Sequence, residues 1–405
     1  MSAHRLRVLV VHNRYRSGQP SGEDRVVDQE KSLLADAGHH VTAFERHSDD
    51  IASMSLLDKA LVPLQVPWNA QAKAELTARL HAERPDVVHV HNTFPLLSPS
   101  VLVACAEVGV PTVATLHNYL MVCPSGTLFR DGNVCTDCTG RLPLPALRHG
   151  CYRGSRLATV PLTVNLVVNR RRWWSDVACF FCASDAQRQI LCQAGMPAQR
   201  LVVKHNFVVD SGIRRTGPGK HVLYLGRLSE EKGLRLLMTA WDRIAADGGV
   251  GLPLVLAGTG RMHDEVRQWA RDRDDVRFMG LRSQTECREL TAHSSAVVAP
   301  SAWMEPFGLV VVEAMAAAVP TVASAHGAFV ELVHDGVTGT LHKPGDAASL
   351  ADCLRRVLVD VDRNLELGDA ARRCYEAGFT PAVGLAALVA GYEAAIASPG
   401  FGESL

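Results

Sequence analysis

The sequence predicts an α/β protein made of two successive Rossmann-like domains. Short apolar runs alternate with amphipathic helical patterns along all 405 residues, which is typical of parallel sheets covered by helices. The alternation starts again after a Gly-, Arg- and Pro-rich stretch, FVVDSGIRRTGPGK, near the middle of the chain. A chain of this length exceeds one ordinary core and suits two domains. We therefore expect ligands at the carboxyl ends of the strands and in a cleft between facing domains.

The first half supplies six strand patterns and three helical patterns. The apolar runs are RLRVLVVH, HHVTAFE, DVVHVH, PTVATLH, VACFFCAS and LVVKHN. The amphipathic spacing predicts helices over about 23–37, 70–82 and 99–106. Residues 1–205 form the predicted N-terminal domain, in which about 121–155 is a cysteine-rich insertion.

The second half repeats the pattern with HVLYLGRL, LPLVLAG, VRFMG, AVVAPS and PTVAS as strands. Residues 206–380 form the predicted C-terminal domain. A last amphipathic helix, about 381–397, lies in a segment 381–405 that we expect to cross back toward the N-terminal domain.

Composition excludes several classes of protein. With 42 basic and 42 acidic residues the formal net charge is zero, which argues against a nucleic-acid partner. No stretch approaches the ~20 apolar residues of a membrane-spanning helix, and the N-terminal apolar run is typical of a first strand rather than a signal peptide. Eleven cysteines without a signal peptide favour a reducing cytoplasm, and the high content of Ala, Arg and Val suggests a bacterial source.

Two glutamates interrupt the apolar stretch EPFGLVVVEAMAAAVPTVAS. Pro306 is a natural first helical residue, so Glu305 is expected just before the helix and Glu313 about two turns into it. At ~1.5 Å per residue the two stand roughly 12 Å apart along the axis. Hydrolytic carboxylate pairs stand roughly 5 to 9.5 Å apart, so this spacing favours two ends of one long ligand.

The predicted start of this helix favours an anion. Phe307, Gly308 and Leu309 offer free backbone amides at the positive end of the helix dipole, and Gly308 lets a ligand approach closely. Glutamates that only cap and solvate a core helix are the alternative, but they do not explain a charge at Glu313 between apolar runs.

Two cations follow the first strand of the second half, in YLGRLSEEKG. Arg227 can form a planar fork and Lys232 a point charge, and together they can bind a diphosphate. Surface charges paired with Glu230 and Glu231 are the alternative.

Polar residues also follow strands of the first half. His91 and His117 come at the ends of DVVHVH and PTVATLH, where a histidine is either structural or part of a ligand site. The loop NRYRSGQPSGED contains Gly18 and Gly22, which allow a ligand to approach the backbone.

These motifs together resemble the retaining glycosyltransferases of family 4, whose fold is called GT-B. The resemblance covers nearly the whole chain and depends on Glu-x7-Glu at 305 and 313, on YLGRLSEEKG and on TLHN, in this order. It implies that Arg227 and Lys232 bind the diphosphate of a nucleotide-sugar donor. Glu305 would bind sugar hydroxyls, and Glu313 the ribose. The chain has Ser21–Gly22 and His326–Gly327 where the family often has glycine pairs.

Further site roles follow from the same resemblance. Backbone amides near Phe307, Gly308 and Leu309 would face phosphate or sugar, His117 would lie by the reacting sugar, and Gly22 would line the donor–acceptor junction. The implied reaction moves a hexose or N-acetylhexosamine from a UDP-sugar, preferred over a GDP-sugar, to a hydroxyl of a small-molecule natural product or a cell-surface glycan. It needs no catalytic metal, because fixed charges stabilise the leaving diphosphate.

Two other functions remain open from the sequence. One is a different GT-B chemistry, a phosphorylase or a sugar-nucleotide epimerase. The other is a zinc-containing binding module without turnover, which the intact set of Arg227, Lys232, Glu305 and Glu313 argues against.

Four cysteines in the insertion predict a structural zinc site. Cys123, Cys135, Cys138 and Cys151 give a CxxC with two outlying thiols, which suits tetrahedral coordination, and the insertion resembles one present in some family members. Free or oxidisable thiols on a loop are the alternative.

The motif NRRRWW, Asn169–Trp174, mixes cations and aromatic rings. It predicts either contact with an anionic membrane surface or lipid-linked acceptor, or a helix with one solvated face. The expected location is therefore the cytoplasm, with a peripheral membrane contact as an open possibility.

Overall fold

The computed structural model describes residues 5–18 and 21–398, and the chain divides into two compact units. The first unit contains the chain up to Leu128, then Thr136–His205, and the chain from Gly384 onward. The second unit contains Phe129–Cys135 and Asn206–Val383. Two residues of the predicted loop before Gly22, 19 and 20, and residues 399–405 of the predicted C-terminal segment lie outside the described residues.

The first part of the chain alternates strands and helices. In chain order its elements are β1 (Arg7–Arg14), α1 (Gly22–Asp36), β2 (His40–His47), α2 (Asp50–Ser53), α3 (Leu56–Gln65), α4 (Ala70–Glu83), β3 (Val87–Asn92), α5 (Ser100–Val108), β4 (Thr112–Leu116), β5 (Phe129–Arg130), β6 (Asn133–Val134), α6 (Leu144–His149), α7 (Arg156–Asp176), β7 (Cys179–Cys182), α8 (Asp185–Gln193) and β8 (Leu201–Val203).

The second part repeats the alternation and ends in three consecutive helices. Its elements are β9 (His221–Leu225), α9 (Leu234–Ala246), β10 (Leu254–Ala257), α10 (His263–Trp269), β11 (Val276–Gly280), α11 (Gln284–Ala292), β12 (Ser294–Ala299), α12 (Leu309–Ala316), β13 (Thr321–Ser324), α13 (Phe329–Leu332), β14 (Gly339–His342), α14 (Ala347–Val359), α15 (Val361–Gly378) and α16 (Pro381–Ala397).

Each unit is built around one six-stranded sheet in which every pairing is parallel. The strand order is β2-β1-β3-β4-β7-β8 in the first unit and β11-β10-β9-β12-β13-β14 in the second. Helices connect the strands, as parallel pairing requires. The predicted α/β class with two Rossmann-like domains is therefore confirmed.

Both sheets contain a point where the chain changes direction. The chain passes from β1 to β2 at one edge and then returns to place β3 on the other side of β1. In the second sheet it runs from β9 to β11 and then returns to place β12 beside β9. Ligands of such sheets bind outside the carboxyl ends of the strands at these switch points. These two places are therefore the expected positions of ligand sites.

Helix α16 completes the core of the first unit. Its Leu388, Tyr392 and Ala395 are buried among apolar residues of β1, α1, β3, β4 and β7. Gly391 permits close packing, because a Cβ there would lie 2.3 Å from the ring of Phe181. The region Val361–Ala397 is long and apolar enough to meet the length and composition criteria for a membrane span. An 18-residue apolar window of this region is 28% buried inside the fold.

Candidate functional site

The predicted cations and Glu305 meet at the switch point of the second sheet. Arg227 and Lys232 follow β9, and Glu305 follows the neighbouring strand β12. The carboxyl ends of parallel neighbours lie at the same edge, which is why residues more than 70 positions apart come together there. Lys232 lies in a short 3-10 helix, Glu230–Lys232, whose next residue, Gly233, has a φ of 74°.

Glu305 accepts hydrogen bonds from three side chains. Lys232 Nζ lies 2.7 Å from Glu305 Oε1 and 2.9 Å from Oε2. Ser301 Oγ donates to Oε2 at 2.9 Å, and Trp303 Nε1 donates to the same oxygen at 2.7 Å. Lys232 Nζ also lies 5.2 Å from the centre of the Trp303 ring. The carboxylate is therefore fixed in one orientation before any ligand arrives.

These partners keep Glu305 ionised although its side chain is buried. Burial alone would raise the pKa of the carboxyl, but the charge of Lys232 and the hydrogen bonds from Lys232, Ser301 and Trp303 lower that pKa below its ordinary value. The site thus contains a permanent buried anion paired with one cation.

Arg227 differs from Lys232 in its surroundings. Its side chain is 64% exposed, and Nε lies 4.0 Å from Glu231 Oε1, at the limit of an ion pair. The sequence left open that both cations only pair with Glu230 and Glu231. Arg227 makes one weak pair of this kind, with Glu231, whereas Lys232 pairs with Glu305 instead. A solvated guanidinium beside the buried pair is free to turn toward an anionic ligand.

The start of the glutamate helix was predicted wrongly. Helix α12 begins at Leu309, and Pro306 precedes it rather than serving as its first residue. Gly308 is the N-cap, with a φ of 101°, and a Cβ at this position would lie 2.4 Å from the Phe329 ring. Only glycine combines this left-handed backbone with this close contact. Gly308 has no side chain to cap the helix, so no side chain accepts from the first amides of α12.

Glu313 is partly buried in the second turn of α12. Leu309 and Val310 share the partly buried side of the helix with it, whereas Val311 and Val312 are fully buried. The buried charge expected from the sequence is therefore only half buried, which lowers its desolvation cost. Phe307 is buried before the helix, 6.1 Å from Phe379 between ring centres.

Sequence reasoning missed three residues of this site. Ser301 and Trp303 bind Glu305 directly, and His326 Nε2 lies 2.7 Å from the backbone oxygen of Ser301. Burial lowers the pKa of His326. Their positions in the sequence could have indicated them, because Ser301 and Trp303 follow β12 and His326 follows the neighbouring strand β13.

The switch point of the first sheet brings histidines together. His12 lies in β1, His91 in β3, and His117 directly follows β4. His91 Nδ1 lies 3.0 Å from His117 Nε2, and the two rings stack with 5.3 Å between centres. His12 Nε2 lies 2.7 Å from Asp24 Oδ1 of α1. Burial, together with nearby Lys204, lowers the pKa of His117 well below its ordinary value, so this imidazole is neutral at pH 7.

His91 also belongs to a second buried group of side chains. Glu30, His89 and His91 place one ligand atom each within 4.8 Å of the others, the one such group among the described residues. His89 already uses both ring nitrogens, 2.7 Å from the Tyr392 hydroxyl and 2.8 Å from Thr115 Oγ1. The Lys204 ammonium binds Glu30. These partners fit a buried polar network better than a metal site, because the cation position is occupied.

Gly22 lies two residues before Asp24, the partner of His12, whereas the four cysteines lie in the segment between β4 and α7. Gly22 is the exposed first residue of α1, directly after the N-cap Ser21. Cys123, Cys135, Cys138 and Cys151 form no disulfide. Within the described residues, no three of these sulfurs lie within 4.8 Å of one another. The zinc site therefore stays a prediction that this geometry does not support.

Known proteins share both halves of this arrangement. The model "Glycosyltransferase Family 4" matches residues 20–211, and "Glycosyl transferases group 1" matches residues 213–374. Glycogen synthase of Mycobacterium tuberculosis is 28% identical over 392 residues, which cover 88% of this chain and 86% of that protein. Phosphatidyl-myo-inositol mannosyltransferase of Mycobacterium leprae is 34% identical over 218 residues, covering 51% and 57%.

Solved structures of low sequence identity share the fold. Anabaena HepE in complex with UDP and glucose is 21% identical, with a TM-score of 0.66 over 95% of this chain and 99% of that chain. Sucrose-phosphate synthase of Thermosynechococcus elongatus is 19% identical, with a TM-score of 0.69 over 97% and 100%. Two Rossmann-like units with a helical C-terminal end define a GT-B fold. The chain belongs to the family 4 glycosyltransferases.

Proposed function

We propose that the protein is a retaining glycosyltransferase that moves a hexose or N-acetylhexosamine from a UDP-sugar to a hydroxyl of a natural product or a cell-surface glycan. The observation that carries this proposal is the buried Glu305, fixed by Lys232, Ser301 and Trp303 at the switch point of the second sheet. A fixed carboxylate can accept hydrogen bonds from sugar hydroxyls, and the adjacent cations can neutralise a diphosphate.

Each predicted residue has a role in binding the donor. Arg227 turns from solvent to the diphosphate, while Lys232 shares its ammonium between Glu305 and a phosphate oxygen. The uncapped amide end of α12, at Gly308 and Leu309, donates to the diphosphate or the sugar. Glu313, in the second turn of α12, binds the ribose hydroxyls. HepE, which shares the fold, was crystallised with UDP-glucose, and this supports the preference for uridine.

The proposed reaction uses charge rather than a protein nucleophile. As the sugar–phosphate bond breaks, negative charge develops on the leaving UDP, and Arg227, Lys232 and the α12 amides stabilise it. The acceptor hydroxyl attacks from the face that the diphosphate leaves, which retains the anomeric configuration. Its proton passes to a leaving phosphate oxygen, so no divalent metal and no general base are required by the scheme. His117, at the edge of the first sheet, contacts the sugar.

The first prediction tests the two cations. In Arg227→Ala/Lys232→Ala, the diphosphate loses both charged donors, so UDP affinity should fall by on the order of 100-fold. Isothermal titration of UDP into both proteins measures this loss. Arg355→Ala is the matched control, because Arg355 of α14 pairs at the surface with Asp352 of the same helix and with Asp247, which follows α9. Near-normal UDP affinity in the double variant would refute the assignment.

Acceptor dependence separates this function from the alternatives. A transferase consumes UDP-sugar in proportion to acceptor and releases UDP. A phosphorylase requires inorganic phosphate, and an epimerase converts the UDP-sugar without releasing UDP. A binding module binds UDP without any turnover. Following both UDP release and conversion of the UDP-sugar, with and without acceptor and with and without inorganic phosphate, therefore distinguishes all four.

We also propose a peripheral membrane contact on α3 and α7. These helices pack together and expose large apolar side chains: Leu56 at 84%, Leu57 at 79% and Leu64 at 69% on α3, and Leu157 at 85% and Val168 at 58% on α7. The exposed cations Arg156, Arg171 and Arg172 flank this surface. Apolar side chains bordered by arginine fit the interface of an anionic bilayer.

The second prediction tests this surface by vesicle flotation. The wild type should float with vesicles of phosphatidylcholine and phosphatidylglycerol more than with pure phosphatidylcholine. Leu56→Glu/Leu57→Glu should abolish flotation, because two carboxylates cannot enter the apolar boundary. Val359→Glu is the control, since Val359 is 83% exposed on α14 of the other unit. The proposal would be contradicted if the wild type floated equally with both kinds of vesicle, or if it floated with neither.

A further inference from the structure

A cavity of about 70 Å³ opens at the carboxyl edge of the first sheet, and His117 is the one lining residue that also has a role in the proposed reaction. The ends of β3 and β4 form its floor, the segment after β4 one wall, and α7 the opposite wall. His91, His117, Asn165, Arg170 and Trp173 line it. A single water needs roughly 10 to 15 Å³ by the same measure, so the space admits a group of several heavy atoms.

Arg170 is the unusual residue of this cavity. Its Nε and Nη2 are shielded from solvent and have no hydrogen-bond partner, which is true of no other arginine in the described part of the chain. The guanidinium lies 5.9 Å from the ring centre of Trp174, which contributes no acceptor. Burial lowers the pKa of Arg170, and only nearby Cys138 acts in the opposite direction. Shielded charged donors without acceptors are costly.

Other shielded arginines of this chain show what is missing. Arg372 donates to Asp210, Glu376 and the backbone oxygen of Ala316. Arg215 donates to Asn364 and the backbone oxygen of Ser295. Both have acceptors for their planar fork, as structural arginines do. Arg170 lines the cavity while its Nε and Nη2 have no acceptor in the described part of the chain, so an anion bound in the cavity would offset the cost of its charge.

Neighbouring groups add neutral donors. Asn165 accepts a hydrogen bond at its side-chain oxygen from Asn169 Nδ2 at 2.9 Å, which leaves the Asn165 amide nitrogen to donate. His117 uses Nε2 for His91, so Nδ1 is the ring atom that remains for a ligand. A guanidinium, an amide and a neutral imidazole around a small cavity suit an oxyanion attached to a hydroxylated group.

We propose that this cavity binds the acceptor through an oxyanion, a phosphate or a carboxylate carried on a sugar or polyol, with Arg170 as its charged partner and Asn165 as a neutral donor. The acceptor is then an acidic small molecule or the acidic end of a glycan. This inference rests on the proposed transfer to an acceptor hydroxyl and adds the chemical class of that acceptor. It also gives the motif NRRRWW two separate roles, since Arg170 faces the cavity while Arg171 and Arg172 are exposed.

The test measures binding to the full chain by isothermal titration with three probes: glucose 1-phosphate, glucuronate and methyl glucoside. The wild type should bind at least one charged probe roughly tenfold or more tightly than the neutral one, and Arg170→Gln should remove that preference. Arg170→Lys should retain part of it. Arg171→Gln, an exposed neighbour on the same helix, should behave as the wild type. The charged probe that shows the preference identifies phosphate or carboxylate as the ligand.

Three outcomes would overturn the inference. One is equal binding of all three probes by the wild type, and another is an unchanged preference in Arg170→Gln. The third is loss of the preference in Cys138→Ser to the same extent as in Arg170→Gln, which would make Arg170 a partner of the cysteine-rich loop. UDP titration into the same proteins keeps the proposals separate. A wild type that does not bind UDP would refute the proposed donor site. A normal UDP affinity in Arg170→Gln would show that the substitution leaves the second unit intact.

Discussion

Of two buried glutamates, one is ionised and the other is neutral, because their hydrogen-bond and charge partners differ. Glu305 has an ammonium, a hydroxyl and an indole N–H, and its pKa is lowered. Glu23, in the first turn of α1, has the Tyr15 hydroxyl at 3.1 Å and a shielded Oε1 without a partner. Burial raises the pKa of Glu23 to about 8; the Tyr15 hydrogen bond lowers it, and Asp24 adds a smaller increase. Glu23 is therefore neutral at pH 7 and Glu305 is not.

The third prediction uses this raised pKa. Between pH 4.5 and about 8, the folded chain keeps the Glu23 proton that the unfolded chain has lost, so stability falls as pH rises through this window. The slope is about 1.4 kcal/mol per pH unit for one proton. In Glu23→Gln this contribution disappears, so its free energy of unfolding should exceed that of the wild type increasingly toward pH 8. Urea unfolding at several pH values measures the difference.

A matched substitution isolates the effect. Glu107→Gln changes an exposed carboxylate that pairs with Lys73, and it should follow the wild-type pH dependence closely. Wild-type and Glu23→Gln curves that stay parallel from about pH 5 to 8 would show that Glu23 is ionised in the folded chain.

At the scale of elements, helix α12 depends on one residue for its start. The chain reverses at Gly308 with a φ of 101° and passes within contact distance of the Phe329 ring on α13. This position fixes both the amide end of α12 and the segment after β12 that carries Glu305. A change of the backbone at Gly308 would therefore also shift the groups proposed to bind the donor.

The fourth prediction is that Gly308→Ala lowers UDP affinity as well as stability. The added Cβ would lie 2.4 Å from Phe329, and the left-handed backbone would be strained by roughly 1–3 kcal/mol. Gly345→Ala is the control, because Gly345 has a φ of 73° and a Cβ added there would meet no atom within 4 Å. It should cost stability through backbone strain alone and leave UDP binding unchanged. Equal UDP affinities in the two variants would show that the contact with Phe329 does not position the donor site.

Elements with strong apolar patterns were predictable, and weakly patterned ones were not. The predicted last helix, 381–397, coincides with α16, and the eleven predicted strand patterns each contain a strand. Strand β14, GTLH, was not predicted, because Gly339 and two polar residues give it no apolar run. The hairpin of β5 and β6 has two residues per strand and no periodicity to detect. The start of α12 was missed because Pro306 is a common first residue, whereas the left-handed Gly308 decides it.

At the scale of the whole molecule, the sequence predicted which residues share a sheet edge, but not the contacts made there. Lys232 and Glu305 are 73 positions apart, and their direct bond depends on the pairing of β9 with β12. Equally, no local pattern indicates that Arg170 has shielded nitrogens, because shielding depends on packing across the unit. Spacing predicts which residues share an edge, and packing decides which of them are paired.

Helix α16 gives the chain an unusual order of assembly during synthesis. The first unit takes its Leu388, Tyr392 and Ala395 from the last helix, and Tyr392 bonds to His89 at 2.7 Å inside that core. The chain as far as α16 must therefore be synthesised before the amino-terminal half can close its apolar interior. The carboxy-terminal half, which needs no such late segment for its sheet, is free to fold first. Nascent chains halted after the second unit will expose an unfinished amino-terminal core.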